Sequence, residues 1–356
     1  MFLHRPLLLS FLQRMVGNTT WRVLLATYFI HYLFTWATLA AFSEPLTQNF
    51  IDYTYWYSVS MSTVGFGDIS PVTPGGRLFY ALIIAPTGIL LFGSALAKLG
   101  ELYLTLKKRF VAGTIDVSDL SGHIIVFGWI PQRTAKLTKL LQANKKKIVI
   151  VSDEKGLEHP LMNTDILYVN VENYVSVKEL KRLGLEKCDS IIVNTGIDAV
   201  NYLTAVAVDH YLERVGSNAH IVVYSECEDI QALLEGASGR TEIINIHDEH
   251  LLSRSAMFPG SSSCTEALLN PAFLATHFTL KLPIQMREMA FSELSAILKR
   301  ELKVISIGFS KKSDKLGRNL QLNPDDDAMV SGGDFIHYIA NQEIQKIETH
   351  LKNYLC

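Results

Sequence analysis

Apolar positions along the chain fall into two regimes. Before residue 106 they come in long runs; after it they alternate with charged positions in short segments. Residues 23–42 (VLLATYFIHYLFTWATLAAF) carry no formal charge, and neither do residues 78–97 (LFYALIIAPTGILLFGSALA). At about 1.5 Å per residue, ~20 helical residues cross a hydrocarbon layer of roughly 30 Å. Two such runs predict two membrane spans, and charged residues 101–109 continue the second helix outward. Between the spans, residues 52–62 are aromatic-rich and helix-compatible but too short and polar to cross. They predict a re-entrant half-helix, with irregular backbone after it where a watery cavity is lined.

From residue 122 the period changes. Apolar strands are expected at residues 123–127, 147–151, 166–169, 190–194 and 219–224, separated by helices at 132–143, 177–183, 199–214 and 230–235. Strand–helix alternation with fully apolar strands implies a parallel, doubly wound sheet. A strand–helix–strand order recurs over 278–341.

Flanking charge orients the spans. His4, Arg5, Arg14 and Arg22 precede the first; Lys98, Lys107, Lys108 and Arg109 follow the second; the connection holds Glu44, Asp52 and Asp68 against Arg77. The positive-inside rule then places both termini in the cytoplasm, in a multi-pass protein of the cell inner (plasma) membrane with the lipid bilayer as its surroundings. The apolar stretch 6–12 is short and lacks a small-residue cleavage site, so residues 1–20 read as a cytoplasmic or interfacial helix rather than a signal peptide. His31 and Thr35, one turn apart in the first span, are either a buried proton site or a polar patch bonded to a neighbouring helix.

The formal charge of −2 in 356 residues argues against a nucleic-acid partner. The four cysteines, Cys188, Cys227, Cys264 and Cys356, form no CxxC pair and fit reduced thiols.

Thr63, Val64, Gly65, Phe66, Gly67 and Asp68 place glycine at alternate positions. Glycine admits left-handed torsions, which turn successive carbonyl oxygens toward one side. Four such loops about an axis would give rings of carbonyls, with the Thr63 hydroxyl as a further ring, replacing the water around a monovalent cation. One chain supplies one loop, so four chains must assemble. TVGFGD resembles the potassium-channel signature, TVGYGD in many members, with Phe66 in place of Tyr. Tyr53, Trp56 and Tyr57 resemble the aromatic cuff that braces the filter. The resemblance implies a potassium-selective homotetramer holding K+ at Thr63, Val64, Gly65 and Phe66. Within the second span, Pro86-Thr87-Gly88 is the point most able to bend, and Gly93 is a second candidate. Gly88 and Gly93 are either gating hinges, as in related channels, or small residues for close helix packing.

In the cytoplasmic half the first strand–helix turn carries a degraded dinucleotide fingerprint. Gly128 is kept, while Ile130 and Arg133 stand where glycine admits a pyrophosphate and packs helix on strand. Either the backbone no longer accepts a dinucleotide, or Arg133 itself pairs with a phosphate at the helix N-terminus. Asp153 matches the acid that bonds a ribose hydroxyl, and equally suits a cap or turn.

Residues 122–244 resemble the N-terminal lobe of an RCK domain (regulator of potassium conductance). Residues 278–341, with Pro324-Asp-Asp-Asp-Ala-Met-Val-Ser-Gly-Gly-Asp-Phe-Ile, resemble its C-terminal lobe. That implies RCK–RCK pairing in a gating ring that pulls on the inner helices, although an eight-domain ring would need four more units from elsewhere. It also implies NAD or ADP as regulatory ligand, in a cleft lined by Phe127, Gly128, Trp129, Ile130, Arg133, Asp153, Val171, Glu172, Asn194, Thr195 and Gly196.

Asp198, Glu226, Glu228 and Asp229, with Asp325, Asp326 and Asp327, are candidate Ca2+ ligands as in some RCK channels; the alternative is a solvated helix start. His247 and His250 lack the spacing of a zinc helix.

The expected fold class is a membrane all-α two-helix pore domain plus an α/β Rossmann-like RCK domain with a smaller α+β C-terminal lobe. The expected domains are 1–20; a pore domain 21–109 with spans 23–42 and 78–105, pore helix 52–62 and filter 63–68; a linker 110–120; an N-lobe 121–244; crossover helices 245–277; and a C-lobe 278–356. A membrane-anchored NAD enzyme would need an intact fingerprint and an acid–base pair, neither of which stands out. A pore-less transporter subunit would lack residues 63–68, and a voltage-gated channel would carry a span of repeated arginines. The expected activity is ligand-gated potassium conduction without covalent chemistry.

Overall fold

The computed structural model describes residues 20–143, 145–237, 240–245, 248–270, 275–314, 316–345 and 347. Residues 1–19 of the expected interfacial helix, His247 and Cys356 lie outside them. The chain divides into two units, Met1–Phe110 and Val111–Cys356.

In the first unit, α1 (Trp21–Ala41) starts at Thr20, whose side chain accepts from the Val23 amide. Its apolar side chains point mostly outward, with Leu25, Phe29 and Ile30 exposed. That is the reverse of a soluble core helix. The half-helix α2 (Phe50–Met61) is capped by Asn49. The second long helix, α3 (Pro74–Val111), is continuous through a wide π turn at Tyr80–Ile84. Both α1 and α3 are long and apolar enough to cross a membrane. The π turn lies just before Pro86, which has no amide proton to give the preceding turn, and such irregularities collect at proline. This irregularity lies about one turn before Pro86-Thr87-Gly88. Leu39, Leu46, Tyr53, Trp56, Tyr57, Met61 and Ile84 form the core of this unit.

The second unit opens with a six-stranded, all-parallel sheet, its strands ordered β3-β2-β1-β4-β5-β6. The strands are β1 (His123–Phe127), β2 (Lys147–Ser152), β3 (Leu167–Asn170), β4 (Ser190–Val193), β5 (His220–Tyr224) and β6 (Thr241–Ile244). The helices between them are α4 (Pro131–Ala143), α5 (Val177–Arg182), α6 (Asp198–Val215) and α7 (Glu228–Ala237). Both faces are covered. Ile125 and Phe127 enter one core with Val149, Val151, Ile191 and Val193, while Ile124 and Val126 enter another with Ile148 and Ile150. Alternation of side chains along each strand makes this split, and burial on both sides explains the unbroken apolar runs.

Helices α8 (Asp248–Met257) and α9 (Ser261–Leu269) follow. The final lobe is an antiparallel sheet ordered β10-β9-β12-β7, made of β7 (Thr276–Lys281), β9 (Ile305–Ser310), β10 (Gln321–Leu322) and β12 (Phe335–Ala340). A small ladder pairs β8 (Met289–Ala290) with β11 (Met329–Val330). Helix α10 (Phe291–Leu302) buries Phe291, Leu294, Ile297 and Leu298, one helical stripe, in this lobe's core. The turn before β12 is held by buried Asp334, which accepts from the amides of Lys312 (2.8 Å) and Ser331 (3.0 Å).

Candidate functional site

The loop after α2 takes positive φ at Thr63 (63°), Gly65 (58°) and Gly67 (77°), alternating with negative values at Val64 and Phe66. A Cβ at Gly65 or Gly67 would meet nothing within 4 Å. The torsion alone selects glycine there. Amides of Val64 and Gly65 both reach the Val59 carbonyl (3.1 and 3.2 Å), tying the loop to the half-helix. The side chains of Thr63, Val64, Phe66 and Asp68 are exposed on this single chain.

Tyr53, Trp56 and Tyr57 do not touch this loop through hydrogen bonds. They occupy one face of α2, buried against the spans: the Tyr53 hydroxyl donates to Tyr32 O (2.8 Å), and the Trp56 ring lies 5.7 Å from that of Tyr80. Tyr55, on the other face, donates to Asp68 Oδ2 at 2.9 Å. The helical spacing of 53, 56 and 57 was the available signal that Tyr55 points elsewhere.

His31 Nδ1 lies 2.8 Å from the Tyr57 hydroxyl, and Nε2 lies 2.8 Å from Thr87 Oγ1. Thr35 lies 2.5 Å from the Tyr53 hydroxyl. The two residues are thus a polar patch bonded to neighbouring helices. Gly88 is buried, and a Cβ there would sit 2.5 Å from Met61 Sδ; around Gly93 there is open space.

In the second unit the strand order reverses between β1 and β4, the position where a crevice opens at strand C-termini. Gly128 (φ 100°) follows β1, and a Cβ there would lie 2.2 Å from Asn194 O. Backbone bonds gather the strand ends: Gly128 N to Val151 O (2.8 Å), Asn194 N to Phe127 O (3.0 Å) and Val171 N to Ser152 O (2.9 Å). These bonds bring Phe127, Gly128, Val171 and Asn194 together, with Trp129, Ile130, Asp153, Glu172, Thr195 and Gly196 adjoining them in sequence. The Asn194 Oδ1 is buried and unpartnered.

The degraded fingerprint has a definite local structure. The Ile130 amide, which an intact motif offers to phosphate, is taken by Thr134 Oγ1 at 2.9 Å. Arg133 lays its guanidinium over the Tyr224 ring, 4.2 Å from the centroid. Tyr224 donates to Glu226 at 2.6 Å, and that bond holds its phenol above the usual range, only partly offset by Arg133. Asp153 is exposed at the end of β2, its amide donating to the buried Tyr174 hydroxyl (3.1 Å).

Two organising residues escape the sequence reading. Tyr174, from a loop, packs edge-on to Phe127, and burial raises its phenol. Asn201, buried on α6, accepts from Thr195 N (2.8 Å) and donates to Tyr224 O (2.9 Å), joining the ends of β4 and β5. An asparagine on the apolar face of a helix was its signal.

The acidic cluster does not assemble as a cation site. Asp198 Oδ2 accepts from the amides of Glu226 (2.9 Å) and Cys227 (2.7 Å), bracing the start of α7. Glu226 is engaged by Tyr224, and Glu228 and Asp229 lie in the first turn of α7. Among the described residues, no three His, Cys, Asp or Glu side chains, Asp325, Asp326 and Asp327 included, converge to hold a metal. Of the two readings of Asp198, Glu226, Glu228 and Asp229, calcium ligands or a helix start, this geometry fits the helix start: Asp198 serves its backbone, Glu226 is bonded by Tyr224, and Glu228 and Asp229 stand in its first turn.

Comparison with known proteins gives two family matches: one described as Ion channel over residues 16–105, the other as TrkA-N domain over residues 124–246. The calcium-gated potassium channel TvoK of Thermoplasma volcanium is 22% identical over 337 residues, covering 88% of this chain and 91% of the relative. Potassium channel protein 1 of Methanocaldococcus jannaschii is 23% identical over 318 residues, covering 85% and 90%. The voltage-gated potassium channel Kch of Escherichia coli is 28% identical over 166 residues, covering 44% and 38%. The chain spans less than half the length of the first curated relatives it matches, 30%, 48% and 38%. The two matched domains follow the order of the two units, and the relatives are channels rather than enzymes. The chain thus joins a domain matching the ion-channel family, with two helices long enough to span a membrane, to a TrkA-N (RCK) domain, and those relatives similar to it are prokaryotic potassium channels.

Proposed function

We propose that four copies of this chain form a potassium-selective pore whose opening is set by an adenine nucleotide, NAD or ADP, bound to the cytoplasmic domain. The alternating left-handed torsions at Thr63, Gly65 and Gly67 carry the reading. Such a backbone aims successive carbonyls to one side, and fourfold repetition around an axis would give oxygen rings at Thr63, Val64, Gly65 and Phe66 for dehydrated K+. The exposure of those side chains on one chain supports their burial by others. The names of the relatives support potassium as the ion.

Residues 21–109 form the pore domain, 110–120 the linker, 121–244 the Rossmann-like lobe, 245–277 the crossover and 278–356 the final lobe. Both termini face the cytoplasm. Opening bends the inner helix near Gly88 or Gly93, driven by paired RCK domains. Nucleotide biases the equilibrium through its different affinity for the two arrangements. The crevice beside Gly128, Asp153, Val171, Glu172 and Asn194 supports the nucleotide site; Asp153 takes the ribose hydroxyls, and Arg133, held on Tyr224, borders the phosphate end.

The test is reconstitution in planar bilayers with K+ and Na+ on opposite sides, then titration with NAD and ADP. A reversal potential near that of K+, and a nucleotide response that Asp153→Ala abolishes, is the expected result. Equal Na+ and K+ permeability would refute the pore; an unchanged response in Asp153→Ala would remove the nucleotide site.

A further inference from the structure

The stretch between α3 and β1 is built into the Rossmann-like lobe. The Val111 carbonyl accepts from the His159 amide (2.8 Å), and the Gly113 carbonyl accepts from the Asn170 amide (2.9 Å). The Val117 amide donates to Arg182 O (3.0 Å), and Ile115, Val117 and Leu120 pack into the main core of the lobe. Gly113 has φ 66°, and a Cβ there would lie 2.6 Å from Asn170 N and 2.7 Å from the Tyr168 ring. Both the torsion and the close approach of another backbone exclude a side chain.

Arg182, at the end of α5, completes the arrangement. Its guanidinium donates to the Asn170 carbonyl and pairs with buried Glu179 at 2.9 Å. Asn170 thus holds the linker by its N–H and Arg182 by its C=O. Its side-chain amide also donates to Glu154 O at 2.8 Å, the residue after Asp153. The residues that follow Asn170 are Val171 and Glu172.

We propose that Gly113 and Arg182 form a clasp on Asn170 that couples the nucleotide cleft to the chain leading into the pore. The proposal rests on the nucleotide-gated reading above. A nucleotide that draws the ends of β2 and β3 together displaces the Asn170 backbone, and Gly113 moves with it because nothing but one hydrogen bond separates them. Coupling of this kind is carried by contiguous bonded groups. Neither Gly113 nor Arg182 belongs to the filter loop or to the residues assigned to the cleft.

The experiment uses the full-length channel, with ADP and NAD as probes. Binding is measured on purified protein and open probability in bilayers, for wild type, Arg182→Gln, Arg182→Lys and Gly113→Ala. Arg182→Gln and Gly113→Ala are expected to keep unitary conductance and nucleotide Kd. Their nucleotide-dependent change in open probability should fall by about fivefold or more. Arg182→Lys keeps a cation beside Glu179 and should fall in between. Retained binding with a full response in either Arg182→Gln or Gly113→Ala overturns the clasp while leaving the nucleotide site standing. Absence of ADP and NAD binding by the wild type overturns the nucleotide reading and the clasp with it.

Discussion

The hydroxyl of Tyr55 donates to Oδ2 of Asp68 across 2.9 Å, joining the half-helix to the far end of the loop it supports. Asp68 also accepts from the Ile69 amide at 3.0 Å, so both carboxylate oxygens are engaged. Tyr55→Phe removes one bond to a charged acceptor at an exposed position. The expected outcome is a several-fold lower K+/Na+ permeability ratio with assembly intact, read from reversal potentials. An unaltered ratio would mean the bond does not shape the loop.

Gly88 and Gly93 separate by what surrounds them. At Gly88 an added methyl meets Met61, whose flexible end must move within a packed core, costing roughly 1–3 kcal/mol. At Gly93 it meets open space, and alanine favours the helix by about 0.5–1 kcal/mol. Gly88→Ala is therefore expected to lower the melting temperature of the pore and Gly93→Ala to leave or raise it. A double-mutant cycle of Gly88→Ala with Met61→Ala should show an interaction of about 1 kcal/mol. Additivity in that cycle would contradict the contact.

Glu44 gives the pH dependence. It is fully buried after α1 and accepts from Val72 N (2.8 Å), Thr73 N (2.9 Å) and Thr73 Oγ1 (2.6 Å) at the head of α3. Burial pushes its carboxyl up, but the bonds from Thr73 and Val72 and the Arg77 charge outweigh it, leaving it below its ordinary 4.5. A depressed folded-state value stabilises the fold above the ordinary value, and that stabilisation is lost as pH falls through the depressed one. Melting of the wild type should fall more steeply than that of Glu44→Gln below about pH 4.5. At neutral pH Glu44→Gln should cost about 1–3 kcal/mol. Parallel melting curves of the two proteins through the acid range would refute this role.

Much of this architecture is legible from residue pattern. Strands such as HIIVF and KIVIV are buried on both faces, so their apolar runs are unbroken and their ends fall within a residue or two of expectation. The strand Thr241–Ile244 is not, because an edge strand of four residues beginning Thr-Glu has neither length nor alternation to announce it. The loop 63–68 is readable because torsion selects its glycines. Among the aromatics of this helix, Trp56 lines a cavity beside Gly65, Gly67 and Asp68 together with Tyr55, while the Tyr53 and Tyr57 hydroxyls reach the first span; a 100° step per residue decides which ring faces the loop. Asp198 fails as a cation ligand for a different reason. Two backbone amides nearly thirty residues away in sequence claim its oxygen, a tertiary event that local spacing does not encode.

The ring of His31 leaves a mark beyond its own neighbourhood. Thr87 spends its single hydroxyl proton on Ile83 O (2.6 Å), so it can only receive from Nε2, and Nδ1 is left to receive from Tyr57. One heterocycle therefore speaks to the half-helix on one side and to the bend-prone helix on the other, with a fixed sense of donation. The outer helix is consequently no mere float in the bilayer: a twist at Thr87 has to drag this ring or release it, and the scaffold beneath the ion path registers which.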